Sequence, residues 1–508
     1  MAIHTFAAIY IGTYDVSLKV FEFTNRKKFH EVDHIRSRQE LGKGAYGTGT
    51  IGYEQVEELC ETLAQFKEIM ESYKVDSYEV SAAAALRDTT NEIFVLDQIY
   101  LRTGFRVKVL SNSEHRFISY KAVAGSPVFE EMIKTSAAVV DVGGASVQIT
   151  LFRDGKMITT QHMETGIMRL RNLLGDRGYS LKMYENQIEE YVNKKLEGFR
   201  SMYMNTPVDY LILISDYAGG LVKKIEEKGG KSRQVKLDKF SKLLKKTLEE
   251  ITAELNLSDE REPLIIPALV LYKMMAQNVN PKEVWVPGAN IQDGMAFDYA
   301  QHNKLLASTH DFDADVISAA TFLSEHYHSF SPHIQTLSKL SIKIFDAMKQ
   351  EHGLGKRARL LLQVATILHD CGKYVSFAEA SESTYHIIMS SEIIGLTHQE
   401  REIVAQIVRY NTLPLDPYEE VADVLSQEEY LCVAKLSAIL RVANALDQSH
   451  KQKFKNIRIA VRERKLVITV EAFEDIALEQ ALFDAKTSYF ENVYSMKPVL
   501  KEKRIYNY

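Results

Sequence analysis

Along roughly the first 300 residues of the chain, short apolar runs alternate with longer segments in which apolar residues recur at helical spacing. Short apolar runs such as FAAIYIG, VSLKVFEF and YLILIS predict strands, and longer segments with apolar residues every three to four positions predict helices. The segment EQVEELCETLAQFKEIMESY, for example, carries Val56, Leu59, Leu63, Phe66 and Met70 on one helical stripe. This alternation of strand and helix predicts an α/β fold.

The pattern changes after about Leu305. From there to about His450 nearly every segment has helical period, including HIQTLSKLSIKIFDAM and EYLCVAKLSAILRVANALDQSH. The stretch NIRIAVRERKLVITVEAF then reads as two strands joined by a turn, with a helix after it. We therefore predict two α/β domains, an all-helical domain and a small C-terminal α/β module, at residues 1–130, 131–303, 304–452 and 453–508.

Composition narrows the class of protein. Apolar residues make up 45% of the 508 and charged residues 26%, which is ordinary for a globular protein. No apolar run approaches the ~18 residues that cross a bilayer, and MAIHTFAAIYIGTYDV lacks the features of a signal peptide. Cys60, Cys371 and Cys432 are widely spaced, which indicates a reducing compartment, and we expect a cytoplasmic location.

The formal net charge of −6 means that no global field attracts an anion. We expect neither a nucleic-acid nor a membrane partner, and any phosphate site has to be built locally. One candidate is VVDVGGASVQI, where a strand ends at Asp141 and a turn with Gly143 and Gly144 follows. Such a turn exposes backbone N–H groups that can hold phosphate oxygens, and Asp141 can hold Mg²⁺ or orient a water. On this stretch alone an ordinary glycine hairpin is the favoured explanation, because the motif is short.

A second turn near the N-terminus repeats the pattern. The segment YIGTYDVSLKVFE also runs strand, glycine, polar residues and strand, with Gly12 and Thr13 in the turn. Two phosphate loops that face each other across a cleft are typical of actin-like ATPase folds, so we predict two actin-like (ribonuclease H-like) domains. The helix SEHRFISYKAV follows later, with Ser113 as its expected N-cap.

These motifs, in this order, resemble the exopolyphosphatase and guanosine pentaphosphate phosphohydrolase family over nearly the whole chain. AAAALRDTTN is similar to the family's ATSALRDAxN, VLSNSEHRFISYKAV to ISGxEEARLIYxGV, and VVDVGGASVQI to VVDIGGGSTEL. TGIMRLRN resembles LGAVRLTE, and NIQDGMAFDY resembles GLREGVLYDL. The helical third resembles the HD-type domain that the family appends, through ILHDCGK and SAILRVANALDQSH.

The resemblance implies hydrolysis of a terminal phosphate, with Mg²⁺ or another divalent cation, in a cleft between the first two domains. It also implies a homodimer. Glu114 falls on the family's water-activating glutamate, although a first-turn acid that complements the helix dipole is the alternative from position alone. Glu114 and Asp141 are the implied metal ligands. The implied phosphate-binding residues are Gly12, Thr13, Arg87, Asn91, Gly143, Gly144, Ala145 and Ser146.

Two departures from the family pattern concern the cation. Tyr10 stands where the family has an aspartate, and Gln148 stands where it has a glutamate. Glutamine brings no charge to a cation. Weak metal binding, a changed cation preference and lost catalysis are therefore all open.

The helical part offers a second set of possible metal ligands. His333, His369 and Asp370 match the first three ligands of an HD site, but Asn444 stands at the last position, with Asp447 one turn on. The sequence therefore favours a helical scaffold in which His369 and Asp370 pair with each other, and a metal site is the weaker alternative.

Three functions fit the sequence. The leading hypothesis is a phosphohydrolase that acts on polyphosphate or guanosine pentaphosphate. The second is a catalytically weakened relative that binds either compound as a regulator. The third is a sugar or acetate kinase, which would need an adenosine-binding glycine pair such as Gly219 and Gly220, but the helical appendage argues against it.

Overall fold

The computed structural model describes residues 4–25, 28–82, 84–174, 180–204, 207–215, 242–255, 264–306, 310–472 and 474–504. The chain forms two compact units, Met1–Asp311 and Phe312–Tyr508. Both units combine helices and strands. The finer division into four domains stays a prediction.

The first sheet of the N-terminal unit has five strands in the order β3-β2-β1-β4-β5. The strands are β1 His4–Ile11, β2 Asp15–Asn25, β3 Lys28–Arg38, β4 Ser77–Ala82 and β5 Lys108–Val109. The first three pair antiparallel, whereas β4 runs parallel to β1 and β5 runs parallel to β4. β1 is the central strand, and Phe6, Ala7, Ala8, Ile9 and Ile11 on it are fully buried, as its unbroken apolar run predicts.

The second sheet repeats the topology of the first, in the order β10-β9-β6-β7-β8. Its strands are β6 Ser136–Val142, β7 Val147–Arg153, β8 Lys156–Met163, β9 Tyr210–Ile214 and β10 Glu283–Trp285. Again the first three are antiparallel and the last two extend the sheet in parallel. The β1–β2 turn and the β6–β7 turn therefore occupy equivalent positions in two similar halves.

Helices α5 and α11 join these halves. Helix α11 contacts β1 and α5, and α5 contacts β6. Helices α11 and α5 pack closely, since a Cβ at Gly294 of α11 would overlap the carbonyl oxygen of Ile118 on α5. The fully described helices of this unit are α1 Leu41–Gly47, α2 Tyr53–Ser72, α3 Ala84–Arg87, α4 Glu92–Thr103, α5 Asn112–Ala124, α6 Pro127–Ile133, α7 Ile167–Leu174, α8 Leu181–Tyr203, α9 Leu248–Leu255, α10 Ile265–Val279 and α11 Ile291–His302.

The C-terminal unit is mainly helical, as predicted. Its helices are α12 Phe312–His326, α13 Ser331–Ala347, α14 Lys349–His352, α15 Lys356–Leu368, a 3₁₀ turn at Cys371–Tyr374, α16 Ala380–Ser390, α17 His398–Arg409, α18 Tyr418–Val421, α19 Gln427–Ala445 and α20 Ala477–Tyr494. None of the helices in the described ranges has the length and apolar character to cross a membrane.

A three-stranded sheet completes this unit, in the order β11-β12-β13. Its strands are β11 Phe454–Arg462, β12 Lys465–Ala472 and β13 Lys497–Arg504. The sequence pattern showed the first two strands and the helix but not β13, which pairs parallel to β12. Leu466, Ile468, Phe483 and Phe490 belong to the same hydrophobic core as the helices, so the sheet and helices of this unit are packed as one body.

Candidate functional site

The two predicted phosphate loops have the same hydrogen bond. In the β1–β2 turn the Gly12 N–H donates to the Asp15 carbonyl over 2.9 Å, and in the β6–β7 turn the Gly143 N–H donates to the Ser146 carbonyl over 3.0 Å. Each turn therefore closes over two residues at the end of a central strand. The shared geometry supports the prediction that the two loops form a matched pair.

The loops also touch each other. A Cβ at Gly144 would overlap Oγ1 of Thr13, which requires glycine at this position. A Cβ at Gly143, in contrast, would come no closer than 3.5 Å to the Ser146 carbonyl, so packing does not demand glycine there. Gly144 thus allows the two halves of the N-terminal unit to meet at the loops.

A cleft with about 800 Å³ of open space lies over the loops. Most of the predicted site residues line it, namely Gly12, Thr13, Arg87, Asp141, Gly143, Gly144, Ala145 and Ser146. Glu114 and Asn91 are not among the lining residues. Asp15, the acidic residue of the first turn, lines it too. So do five polar residues that the sequence did not single out for the cleft, namely Asn112, His115, Ser119, Ser215 and Asn290.

Glu114 forms a capping box at the start of α5. The helix is capped by Ser111, two residues before the expected Ser113. The Ser111 N–H donates to Glu114 Oε2 over 3.0 Å, and Lys108 Nζ lies 2.9 Å from Oε1. Burial opposes ionisation of Glu114, but the bonds from Lys108 and Ser111 outweigh it and lower the pKa. The carboxylate is therefore a charged cap.

This helix register presents other side chains to the cleft. Asn112, His115 and Ser119 line it, at the i, i+3 and i+7 positions of one helical face. Glu114 lies beside that face. The water-activating role that the resemblance implies for Glu114 would require the capping box to open.

Asn91 holds two loops together. Its Nδ2 donates to the Ile51 carbonyl over 2.9 Å, and its Oδ1 accepts from the Ile51 N–H over 3.0 Å. Both polar ends of the side chain are thus bonded to one residue. The phosphate-binding role of Asn91 also stays a prediction.

Tyr10 and His115 meet inside the cleft. The Tyr10 hydroxyl and His115 Nε2 form a hydrogen bond of 3.0 Å. Burial, followed by the nearby charges of Arg87 and Arg116, lowers the pKa of His115 to about 3. The imidazole is therefore neutral near pH 7. An uncharged pair thus occupies the end of β1, where the resemblance implies a carboxylate.

Gln148 is buried between the strands of the second sheet, 6% exposed. Its Nε2 donates to Thr160 Oγ1 over 2.9 Å and to Thr150 Oγ1 over 3.1 Å. It lies opposite Asp141 on β6 and His162 on β8, which makes a polar row across three strands. Gln148 itself does not line the cleft.

An arginine cluster borders the cleft. Arg87 Nη1 donates to the Leu110 carbonyl over 2.9 Å, and its Nε lies 3.2 Å from Asp88 Oδ1. The other Asp88 oxygen accepts from Arg169 Nη2 over 3.0 Å. Arg169 also stacks 4.7 Å over the ring of Tyr46. Asp88 thus links an arginine from each half of the unit.

The arginines make the local field positive. Burial, and after it the charges of Arg116, Arg87 and Arg169, lowers the pKa of His162 to about 3. Two of these arginines, Arg87 and Arg116, also act on His115. A positive field inside a chain of net charge −6 suits a phosphate anion.

The cleft offers few ligands to a divalent cation. Asp15 and Asp141 are the carboxylates that line it, and Arg36 Nε donates to Asp15 Oδ2 over 2.8 Å. Within the described part of the N-terminal unit, no three His, Cys, Asp or Glu side chains converge as a metal-binding group. Mg²⁺ is commonly held by one or two carboxylates together with substrate phosphates, so Asp141 fits a substrate-dependent cation site.

The alternative metal ligands of the helical part are partly assembled. His333, His369 and Asp370 come together as a buried group. Asn444 is buried on α19, which packs against α13. Gly219 and Gly220, which the kinase hypothesis needs, lie outside the described residues.

Sequence comparison gives the family. The profile of the Ppx/GppA phosphatase family matches residues 20–303, and that of Ppx/GppA phosphatase domain III matches residues 317–486. The guanosine-5'-triphosphate,3'-diphosphate pyrophosphatase of Photobacterium profundum is 20% identical over 449 residues, which is 86% of each chain. The protein of the same name from Vibrio cholerae is 21% identical over 459 residues, again 86% of each chain.

Solved structures from the same family are also similar. The Aquifex aeolicus member of the Ppx/GppA family has a TM-score of 0.48 and 18% identity, and covers 61% of this chain and 100% of its own. An exopolyphosphatase from Cytophaga hutchinsonii has a TM-score of 0.48 and 17% identity, and covers 60% of this chain and 100% of its own.

Proposed function

Because the chain belongs to the Ppx/GppA phosphatase family, we propose that its cleft binds the terminal phosphates of inorganic polyphosphate or guanosine pentaphosphate and slowly releases the last one. The observation that carries the proposal is the contact between the two matched turns, at Thr13 and Gly144, beside Arg87 and Asp141. The relatives named above as pyrophosphatases and as an exopolyphosphatase support phosphoanhydride bonds as the target.

Each group in the cleft has a distinct task in this proposal. Phosphoryl transfer requires charge neutralisation and an attacking water in line with the leaving oxygen. The backbone N–H groups of the turns hold phosphate oxygens, and Arg87 neutralises their charge. Asp141 orients the water or holds the cation. A bound Mg²⁺ would neutralise further charge on the phosphates, and Asp141 is the residue that would hold it.

A second candidate function is binding without turnover. The capping box holds the Glu114 carboxylate, and the neutral Tyr10–His115 pair fills the end of β1. The cleft therefore keeps its phosphate-binding turns and arginines but has few side chains that could act as a general acid or base. A regulator that senses polyphosphate or guanosine pentaphosphate needs only these remaining parts.

A paired assay separates the two candidates. Phosphate release from long-chain polyphosphate and from guanosine pentaphosphate is measured across Mg²⁺ and Mn²⁺ concentrations, and binding of the same compounds is measured by calorimetry. Hydrolysis that Asp141→Asn abolishes supports the first candidate. The matched control is Asp154→Asn, because Asp154 lies exposed in the β7–β8 turn with a φ of 52°, which asparagine tolerates.

Binding without phosphate release in the wild-type chain would select the second candidate. Neither binding nor release with any of these compounds would overturn both. Equal loss of activity in Asp154→Asn and Asp141→Asn would remove the specific role of Asp141.

A further inference from the structure

His115 lines the cleft, but neither the sequence nor the chemistry described so far gives it a task in hydrolysis. It lies on α5 between Asn112 and Ser119, one turn from each, on the helical face that borders the cleft. The side chain is partly buried, so the protein encloses some of the ring and leaves the rest accessible. The surroundings of its two nitrogens therefore decide what the ring does.

The two nitrogens of His115 differ in their surroundings. Nε2 lies 3.0 Å from the Tyr10 hydroxyl and is hydrogen-bonded to it. Nδ1 makes no hydrogen bond to any residue in the described part of the chain, and it is not one of the buried polar atoms that lack a partner. It is therefore accessible from the cleft that the ring lines. One edge of the imidazole is fixed, and the other is available to a water molecule.

Tyr10 connects this imidazole to the first phosphate loop. The two ring centroids lie 5.9 Å apart with the planes tilted by 42°. On its other side the tyrosine ring lies against the loop, since a Cβ at Gly12 would come within 3.2 Å of Tyr10 Cε1. When Nε2 donates its proton to the Tyr10 oxygen, Nδ1 of the neutral imidazole carries the lone pair. The acceptor thus has a fixed position relative to the loop.

The neighbouring carboxylate of Glu114 is less available to a water than His115 is. One of its oxygens accepts from the Ser111 N–H and the other lies 2.9 Å from Lys108 Nζ, so a water has to compete with both bonds. His115 needs no such rearrangement. Phosphoryl transfer has a loose transition state, in which the attacking water has to be oriented more than deprotonated, and a neutral glutamine performs this task in some enzymes. A neutral imidazole meets the same requirement.

On the basis of the proposed hydrolysis, on which this step rests, we propose that His115 Nδ1 accepts a hydrogen bond from the attacking water and that Tyr10 positions His115 through Nε2. The water oxygen bonds to the terminal phosphorus as the bond from that phosphorus to the bridging oxygen breaks. The bridging oxygen leaves with the electron pair. One water proton passes to a non-bridging oxygen of the transferred group, and the other stays on the attacking oxygen. In this arrangement Asp141 serves the cation rather than the water.

Two polar substitutions of His115 distinguish its nitrogens in the full chain. Asparagine places an amide near the position of Nδ1, whereas glutamine places one near the position of Nε2. We expect His115→Ala and His115→Gln to lower kcat for phosphate release by about 10²-fold and to leave KM within about twofold, because the water loses its partner and the substrate does not. His115→Asn should keep kcat within about tenfold of the wild type, since it loses only the bond to Tyr10.

Tyr10→Phe tests the positioning role, because it removes the hydroxyl and keeps the ring. We expect kcat to fall by about tenfold with KM unchanged, the effect of one lost hydrogen bond. In a His115→Ala background the same change should have no further effect on kcat, because Tyr10 acts through the imidazole. Independent, additive losses in the two variants would overturn the positioning role of Tyr10.

His30→Asn is the control for the loss of a histidine. His30 is an exposed residue of β3 in the same unit, its Nε2 lies 3.2 Å from Glu22 Oε2, and it does not line the cleft. This variant should release phosphate like the wild type. Circular dichroism and thermal melting check the folding of every variant. If the His115 variants fail to fold, Tyr10→Phe decides, since an unchanged kcat in this variant would overturn the inference.

The remaining outcomes separate this inference from the proposed function. Unchanged phosphate release in a folded His115→Ala chain, or equal kcat in His115→Asn and His115→Gln, would overturn the role of Nδ1 and leave the proposed function intact. A higher KM at unchanged kcat would place His115 in phosphate binding and overturn the inference as well. A wild-type chain that releases no phosphate from long-chain polyphosphate or guanosine pentaphosphate would overturn both.

Discussion

The Tyr10 hydroxyl and His115 Nε2 lie 3.0 Å apart, one at the end of β1 and the other on the cleft-facing side of α5. Both groups are uncharged near neutral pH, because burial and the neighbouring arginines keep the pKa of His115 at about 3. The cleft therefore has a hydrogen-bonded neutral pair beside its phosphate loops.

The first prediction concerns Glu114. Glu114→Gln removes the charge but keeps a side chain that can complete a capping box. We expect phosphate release to stay within about twofold of wild type, the scatter of a change outside the chemistry. A fall in kcat of roughly 10²-fold with unchanged binding would instead show that Glu114 activates the water.

The second prediction concerns the cation. Tyr10→Asp adds a carboxylate to the cleft, on the residue that lines it beside Asp141. We expect a lower half-saturating Mg²⁺ concentration in the phosphate-release or binding assay. Tyr10→Asn is the control, because it also removes the ring and its bond to His115 but adds no charge. Equal Mg²⁺ curves for the two folded variants would rule out a cation site near Tyr10.

The third prediction concerns Gln148. The resemblance suggests that Gln148→Glu restores a metal ligand, but the side chain is buried and donates to two threonines. A carboxylate there loses both donated bonds and is poorly solvated, which costs roughly 1–3 kcal/mol or more. We expect a melting temperature lower by several degrees and no gain in Mg²⁺ affinity. A stable variant with a lower Mg²⁺ requirement would contradict this.

The fourth prediction concerns pH. His115 and His162 have pKa values of about 3 in the folded chain, against about 6.5 when unfolded. Below pH 6.5 the unfolded chain takes up protons that the folded chain does not, so stability falls as the pH drops towards 3. Each histidine contributes at most about 1.4 kcal/mol per pH unit. Urea unfolding at pH 7 and pH 5 should show a smaller difference in His115→Gln than in wild type.

The fifth prediction concerns the arginines. Arg87→Ala should weaken polyphosphate binding and make its dependence on salt shallower, because fewer counterions are released. Arg102→Ala is the control, since Arg102 lies on α4, pairs with Glu57 at 2.8 Å and does not line the cleft. The same loss in both variants would show that general charge, rather than the site, governs binding.

The local sequence pattern was sufficient to predict the two α/β halves, the helical part and the two glycine turns. Strand and helix periods and turn glycines are properties of neighbouring residues, and they can be read along one chain. The resemblance to the Ppx/GppA family, which the family profiles confirm, also follows from such local motifs. The strand β13 was missed because its parallel partner β12 is separated from it by helix α20.

The placement of individual site residues depended on the tertiary structure. With Ser111 rather than Ser113 as the N-cap of α5, Glu114 enters the capping box and His115 lines the cleft. The buried group of His333, His369 and Asp370 arises only when α13 and α15 pack together. Sequence shows which groups are present, but their pKa values, partners and orientation depend on residues that are distant along the chain and close in space.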